Sequence, residues 1–374
     1  MRILNCGGSG EEGIFFTQDL LKFYNDKVSE VILCGRNEDK LKKAVAEIGS
    51  KKVTTKVLDI NNHAEMVKAM KDVDLVMNYV GPFFRWGTKV LQAAIEAKKH
   101  YVDIDDDSES TLKKLDMDEE ARAAGITAIL GLGSGPGSSN LLAKYAADKL
   151  DQVDEINIYW VANMRYLGSR LMPRAVITHS FNGVQKAGPQ FIDGKFVSPP
   201  PYSGATWVDF DPPVGRAQCV YFGHPEAVTL PRYVKGLKRA TNRGGLLPHY
   251  QMDRLKAAVD LGLTRDDPVT VDGHRISPLD FMGALGDAFL PDEYVGDTAM
   301  SGIKIEVRGE KNGKPQEYIY GGSTGSMAYA TAAPAAIGVS MLHDGDLKKK
   351  GVFAPEGIIE DFGKYMTELK KRSI

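Results

Sequence analysis

The chain has 374 residues, 43% of them hydrophobic and 26% charged, enough for about two globular domains of roughly 150 residues each. A net charge of -2 with no basic bias argues against nucleic acid as a partner, and no apolar run approaches the roughly 20 residues of a membrane span. Three cysteines, Cys6, Cys34 and Cys219, are too few for a disulfide framework, and no leader precedes a first strand that begins at residue 2, so a reducing cytoplasm is expected.

The apolar run Met1–Cys6 leads into Gly7-Gly8-Ser9-Gly10-Glu11-Glu12-Gly13 and then a helix-like stretch. Gly8, Gly10 and Gly13 stand at the G-x-G-x-x-G spacing of a dinucleotide turn, with Ser9 inside it. The first glycine permits the tight turn, the second admits a pyrophosphate, and the third lets helix and strand pack closely. The helix N-terminus then offers free N–H groups to the phosphates. Glu11 and Glu12 suit the helix dipole but are expected to point away from a bound pyrophosphate.

An amphipathic helix over Phe15–Leu21 is followed by a strand, Glu30–Leu33, and a helix, Asn37–Ile48. Val53–Leu58 reads as the third strand and ends at Asp59; Ala64–Met70 is helical. Val73–Val80 reads as a strand that stops at Gly81-Pro82, and Thr88–Lys98 as a helix. His100–Ile104, Thr111–Ala124, Ile126–Leu130 and Ser138–Leu150 continue the alternation. Such β-α repetition predicts a parallel sheet covered on both faces. From about residue 151, strand-like segments (Glu155–Val161, Arg216–Phe222, Ile303–Arg308, Glu317–Tyr320) are separated by Pro/Gly-rich stretches. They predict an α+β domain with an antiparallel sheet. Ala328–Leu342 is helical despite Pro334, and a last helix is expected over Pro355–Lys371. The expected class is α/β, a Rossmann-type domain (1–150 with 328–374) carrying an inserted α+β domain (151–327) for substrate and dimerisation.

The end of the second strand selects the cofactor. A carboxylate there would bind the ribose 2′-OH of NAD, whereas an arginine accommodates the 2′-phosphate of NADP. Val31-Ile32-Leu33-Cys34 ends instead in Gly35-Arg36-Asn37, which favours NADP. Asn37 also suits a helix N-cap. Asp59 is placed to meet the adenine amino group, or else to shape the turn into the next helix. Val80, Gly81 and Pro82 fall where the fourth strand meets the cofactor crevice.

Asn78-Tyr79-Val80-Gly81-Pro82-Phe83, Val90–Ala97, His100-Tyr101-Val102-Asp103 and Gly133–Leu142 together resemble the saccharopine dehydrogenase-like NAD(P)-binding oxidoreductases. Gly223–Arg232 is similar to a segment of the lysine-6-dehydrogenase-like branch, and Lys350–Glu356 resembles the family's C-terminal signature. The resemblance implies a Rossmann domain completed by C-terminal residues. It also implies chemistry at a carbon–nitrogen bond: oxidation of an amine, or reduction of the corresponding imine, in an amino-acid-like substrate. Saccharopine-forming reductases carry an aspartate where this chain has Gly135, and an acidic residue and a histidine where it has Ser139-Asn140. That departure argues against saccharopine itself as the substrate.

Hydride transfer is the cofactor's chemistry; the protein supplies orientation and one acid–base group. Asp103 and Asp105, at a strand end followed by Asp106 and Asp107, are catalytic candidates, although Asp106, Asp107 and Ser108 also suit a helix start. His179, after the β-rich Ala175–Thr178, and His224, in a Gly-His-Pro-Glu turn, are the others. Arg165, Arg170 and Arg174, or Arg232, Lys235, Lys238, Arg239 and Arg243, offer a clamp for a substrate carboxylate. Gly321-Gly322-Ser323-Thr324-Gly325 matches a hydrolase elbow but reads as a glycine-rich turn between domains. No histidine or cysteine spacing supports a metal. A homodimer is the base-rate expectation. Two alternatives stay open on the same fold, a non-catalytic NADP-binding sensor or scaffold and an enoyl-type reductase.

Overall fold

The computed structural model describes residues 1–163, 174–289 and 300–374. They form two compact units, Met1–Leu141 with Met327–Ile374, and Leu142–Ser326.

The first unit is built on β1 (Arg2–Cys6), β2 (Glu30–Gly35), β3 (Val53–Val57), β4 (Leu75–Asn78), β5 (His100–Asp103) and β6 (Thr127–Ile129). A short C-terminal strand, Gly351–Phe353, adds beside β6, and the order across the sheet is Gly351–Phe353, β6, β5, β4, β1, β2, β3. Every pairing is parallel. Strands β1, β2 and β4 run as short, mostly apolar and largely buried segments, as a sheet covered on both faces demands, whereas the edge strand β3 is largely exposed. One face packs Ile3, Leu33, Met77 and Val102 against Phe16, Leu20, Ala332, Ala336 and Tyr365. The other packs Leu4, Val76 and Tyr101 against Met66, Val90 and Leu91. Strand order reverses between β1 and β4, which opens a crevice at their carboxyl ends.

Helices α1 (Glu11–Phe23), α2 (Glu38–Ile48), α3 (His63–Met70) and α4 (Phe83–Glu96) follow the first four strands. The segment expected as one helix over Thr111–Ala124 is two, α5 (Ser108–Leu115) and α6 (Asp118–Ala123). The expected last helix is likewise divided, into Pro355–Ile358 and Phe362–Lys370, where Asp361 accepts from the Lys364 N–H at 2.8 Å and starts a new cap. The final helix is locked to α1 by Arg372, whose guanidinium makes bonds of 2.7 and 3.0 Å to the fully enclosed Asp19 carboxylate.

After α7 (Ser138–Ala147), the second unit contains β7 (Gln152–Asn163), β8 (Gln190–Ile192), β9 (Lys195–Val197), β10 (Thr206–Asp209), β11 (Arg216–Tyr221), β12 (Arg239–Leu247), a hairpin of β13 (Val269–Val271) and β14 (His274–Ile276), then β15 (Ser301–Lys311) and β16 (Lys314–Thr324). Its main path runs β10-β11-β12-β7-β15-β16. The sheet is mixed rather than wholly antiparallel, because β12 runs parallel to β7. The intervening segment is long enough to make the crossover that a parallel neighbour requires. Ala175–Thr178, β-rich in composition, lies within the helix Arg174–Lys186: propensity is a weak prior that tertiary context overrides. Gly321–Thr324, expected as a turn, forms the end of β16 paired with β15. A side chain at Gly321 would collide with the Asp211 carboxylate, so close packing accounts for that glycine.

Candidate functional site

The glycine turn leaves β1 with Gly7, not Gly8, in the left-handed region (φ 78°). A Cβ on Gly7 would lie 2.9 Å from the Tyr79 carbonyl carbon, so the turn lies directly against the chain leaving β4. Gly8 serves close approach, and Gly13 packs so tightly that its Cβ would stand 2.7 Å from the Gly8 Cα. Asn5, fully buried under the turn, donates from Nδ2 to the Gly13 carbonyl at 3.0 Å and to Thr17 Oγ1 at 3.2 Å. Gly10 begins α1 with no side-chain cap, leaving the first-turn N–H groups for a ligand. A cradle that tolerates no side chain and ends in an uncapped helix fits the pyrophosphate of a dinucleotide. Glu11 is exposed, and its carboxyl is held above its ordinary range by burial and by Glu47. Glu12 is pushed the same way, by burial first, with Glu11 and Asp106 adding to it.

Beside this turn, β2 ends at Gly35, where a Cβ would come 3.8 Å from Ser9 Oγ. Arg36 is exposed and makes no hydrogen bond or ion pair among the described residues. Asn37 caps α2, its Oδ1 accepting from the Lys40 N–H at 2.9 Å. Asp59 is exposed and accepts from the Asn61 backbone N–H at 2.9 Å, a turn into α3. On the other side of β1, buried Asn78 donates to the Tyr101 hydroxyl at 2.9 Å and accepts from the Val80 N–H at 3.0 Å. Its amide thereby sets the course of Val80 and Gly81 before Pro82 starts α4. A Cβ on Gly81 would meet nothing within 4 Å, so this glycine borders open space.

The carboxyl end of β5 carries a sealed ionic cluster. Asp103, Asp105 and Lys114 of α5 are all fully buried, and Lys114 Nζ pairs with both carboxylates, with Asp105 Oδ2 at 2.6 Å. Asp103 also accepts from the Tyr101 hydroxyl at 2.8 Å, the Gly131 N–H at 2.7 Å and the Asp105 N–H at 3.1 Å. Asp105 accepts from the Asp107 N–H at 2.8 Å, and Asp107 from the Phe84 N–H at 3.0 Å. One carboxylate thus ties together β5, α5 and the loop after β6, while the next two reach the start of α4. Burial first, then Asp103 and Asp107 against the pull of Lys114, raises Asp105 to about 7. The folded chain therefore holds a proton up to about pH 7 that the unfolded chain releases near 3.8. The native state binds more protons across that window, so unfolding free energy falls as pH rises through it, by at most about 1.4 kcal/mol per pH unit. Asp105→Asn is expected to flatten this slope, read as denaturant midpoints across pH 4 to 7; an unchanged slope would assign the titration elsewhere.

In the second unit, His224 and Glu226 are 4% and 1% exposed, with His224 Nδ1 2.9 Å from Glu226 Oε2. The rings of Trp160 and His179 stand 5.5 and 5.8 Å from His224, and His179 lies 5.4 Å from Phe222. Of the basic candidates, Arg232, Lys235 and Lys238 are exposed, and Lys238 pairs with Asp154 at 2.7 Å. Arg243, 8% exposed, stacks 4.1 Å from the Tyr221 ring centroid and donates to Thr241 Oγ1 at 3.0 Å. Arg239 donates to the Tyr221 hydroxyl at 3.2 Å. Arg165 and Arg170 lie outside the described residues, and Arg174 begins a helix.

Sequence reasoning passed over Lys114, Glu226 and Asn242. For Lys114 a signal existed: it shares a helical face with Thr111 and Leu115, whereas Lys113 pairs outward with Glu109 at 2.8 Å. Glu226 stands two residues from His224, but only the fold closes that gap into a hydrogen bond.

Among the described residues no helix is long and apolar enough to cross a membrane. The chain is similar to a carboxyaminopropylagmatine dehydrogenase of Synechocystis, 26% identical over 89% of this chain and 87% of that protein. It is similar also to a carboxynorspermidine synthase of Vibrio alginolyticus, 25% identical over 90% and 88%. Among solved structures, the apo saccharopine dehydrogenase (L-Glu forming) of Saccharomyces cerevisiae shares the fold, with a TM-score of 0.68 at 17% identity over 99% of this chain and 97% of that one. Residues 3–129 match the saccharopine dehydrogenase NADP binding domain, and residues 133–374 its C-terminal domain. With the glycine cradle, the arginine at its lip and both family domains in place, the chain belongs to the saccharopine dehydrogenase family and is an NADP-dependent oxidoreductase acting on amine or amino-acid-like substrates.

Proposed function

We propose that the protein forms or oxidises a carbon–nitrogen bond in a carboxylated polyamine, of the kind named in its carboxyaminopropylagmatine and carboxynorspermidine relatives. The observation that carries this reading is their similarity across about nine-tenths of the chain, through both units. When bound, NADP takes or gives the hydride. Gly8, Ser9, Gly10 and Gly13 hold its pyrophosphate; Arg36, with Asn37, takes the 2′-phosphate; Asp59 lies on the adenine side; Val80, Gly81 and Pro82 border the crevice. His224 carries the proton of the reacting nitrogen, and His179 packs beside it. Asp103 and Asp105 act as positioning residues, since Lys114 and backbone N–H groups occupy them. The three free, buried cysteines support a cytoplasmic setting, and a homodimer remains the base-rate assembly.

The test is NADP⁺ reduction by the purified protein, followed by NADPH absorbance, with carboxynorspermidine and carboxyaminopropylagmatine, against saccharopine as contrast. Turnover of a carboxylated polyamine with little or none of saccharopine is expected. Turnover of saccharopine alone would overturn the substrate class.

A further inference from the structure

Fully buried Asn242, on β12, is the junction of a polar chain that ends at His224. The Trp160 indole Nε1–H donates to Asn242 Oδ1 at 2.9 Å. Asn242 Nδ2 donates to Glu226 Oε2 at 3.1 Å, and the same oxygen faces His224 Nδ1 at 2.9 Å. The backbone of Asn242 is held as well: its N–H donates to Gln190 Oε1 at 2.8 Å, and Gln190 donates to the Ala187 and Phe222 carbonyls, both at 3.0 Å. A Cβ on Gly244 would overlap the Trp160 indole, so that glycine keeps the ring in reach of Asn242.

The direction of every bond in this chain follows from its first member. An indole N–H donates and cannot accept. The oxygen of the Asn242 amide must therefore face Trp160, and its NH₂ must face Glu226. Glu226 Oε2 is then an acceptor on one side. An ionised carboxylate carries no hydrogen and only accepts. Oε2 is thus an acceptor on the other side also, and the hydrogen lies on His224 Nδ1. Nε2 has no hydrogen-bond partner among the described residues.

The geometry points to a relay, Trp160–Asn242–Glu226–His224, that keeps a hydrogen on His224 Nδ1 and leaves Nε2 as the proton acceptor. Glu226 and Asn242 are positioning residues in it. This rests on the reading that His224 handles the proton of the reacting nitrogen. In amine oxidation the N–H bond breaks and its proton passes to Nε2. Bound NADP⁺ would accept the hydride from the adjoining carbon as the nitrogen electron pair closes the C=N bond. In imine reduction the same proton returns from Nε2 to nitrogen. Glu226 steadies the imidazolium formed between these events, as a carboxylate does behind a histidine base.

The experiment uses the full chain with NADP⁺ bound. In ¹⁵N-histidine-labelled protein, His224 should show a protonated-type Nδ1 and a pyridine-type Nε2. Glu226→Gln should lower kcat by about 100-fold, the usual worth of a positioned proton-transfer group, with KM for the amine little changed. Trp160→Phe removes the N–H donor together with part of the ring. By freeing the Asn242 amide it should mix the two tautomers and lower kcat, and the NMR tautomer ratio separates this from the effect of the smaller ring; it serves also if Glu226→Gln does not fold. An Nε2–H tautomer in the unsubstituted protein, or wild-type kcat in folded Glu226→Gln, overturns the relay. Wild-type kcat in His224→Asn would instead overturn the proton-transfer reading, while the tautomer seen by NMR would stand.

Discussion

Replacing Lys114 by methionine is expected to lower the unfolding free energy by about 3–5 kcal/mol, the cost of leaving buried charge without its partner. Lys114, Asp103 and Asp105 are each fully buried. Burial alone would lower the ammonium's proton affinity, yet the two carboxylates hold it above its ordinary value. Methionine keeps most of the side-chain volume beside the rings of Phe83 and Tyr101, which lie 5.5 and 6.0 Å from Nζ, so the loss is electrostatic rather than a cavity. Adding Asp103→Asn and Asp105→Asn should recover much of the stability, because a neutral hydrogen-bonded cluster leaves no charge uncompensated. The readout is the denaturant midpoint at unchanged slope. A loss below about 1 kcal/mol in the single variant would show that the cluster is not closed to water, since solvated ion pairs are worth no more than that.

The second large effect concerns cofactor choice. Arg36→Ala should weaken NADPH binding by roughly 10- to 100-fold, the equivalent of a charge-assisted bond of about 1.5–3 kcal/mol, and leave NADH nearly unaffected. The argument is positional: Arg36 follows the last residue of β2, is exposed, and has no ion-pair partner among the described residues. Gly35 and Ser9 face each other at the adjoining lip. Asn37 Oδ1 is committed to capping α2 through the Lys40 N–H, so Asn37 offers only its uncharged NH₂ beside the arginine. Titration of both dinucleotides by fluorescence separates the outcomes, and equal weakening of the two would remove the 2′-phosphate assignment. Because the contact is solvent-exposed, the NADPH preference should shrink as salt is raised.

Local rules carried the sequence reading far in the first unit. The G-x-G-x-x-G spacing, the strand-end Gly35-Arg36 and the turn at Gly81-Pro82 are each decided by neighbours in the chain, and they fall at the carboxyl ends of β1, β2 and β4. Misses occurred where a long-range contact outweighed a local preference. Gly7 takes the left-handed turn because the Tyr79 carbonyl lies against it. Ala175–Thr178 is helical despite its composition, and Gly321–Thr324 is edge strand because β15 lies alongside.

What the sequence by itself determined is the nucleotide-binding scaffold: its period, its glycines and the arginine after the second strand are written in consecutive positions. Only the tertiary structure decided which partners the other candidates have. Asp103 and Asp105 look like a catalytic pair until Lys114, from the following helix, is seen between them. His224 is one histidine among seven until Glu226, Asn242 and Trp160 are brought to it from two strands and a helix. The physical reason is the same in both cases. The state of a buried ionisable group is set by the partners that replace its water, and those partners are chosen by packing rather than by order along the chain.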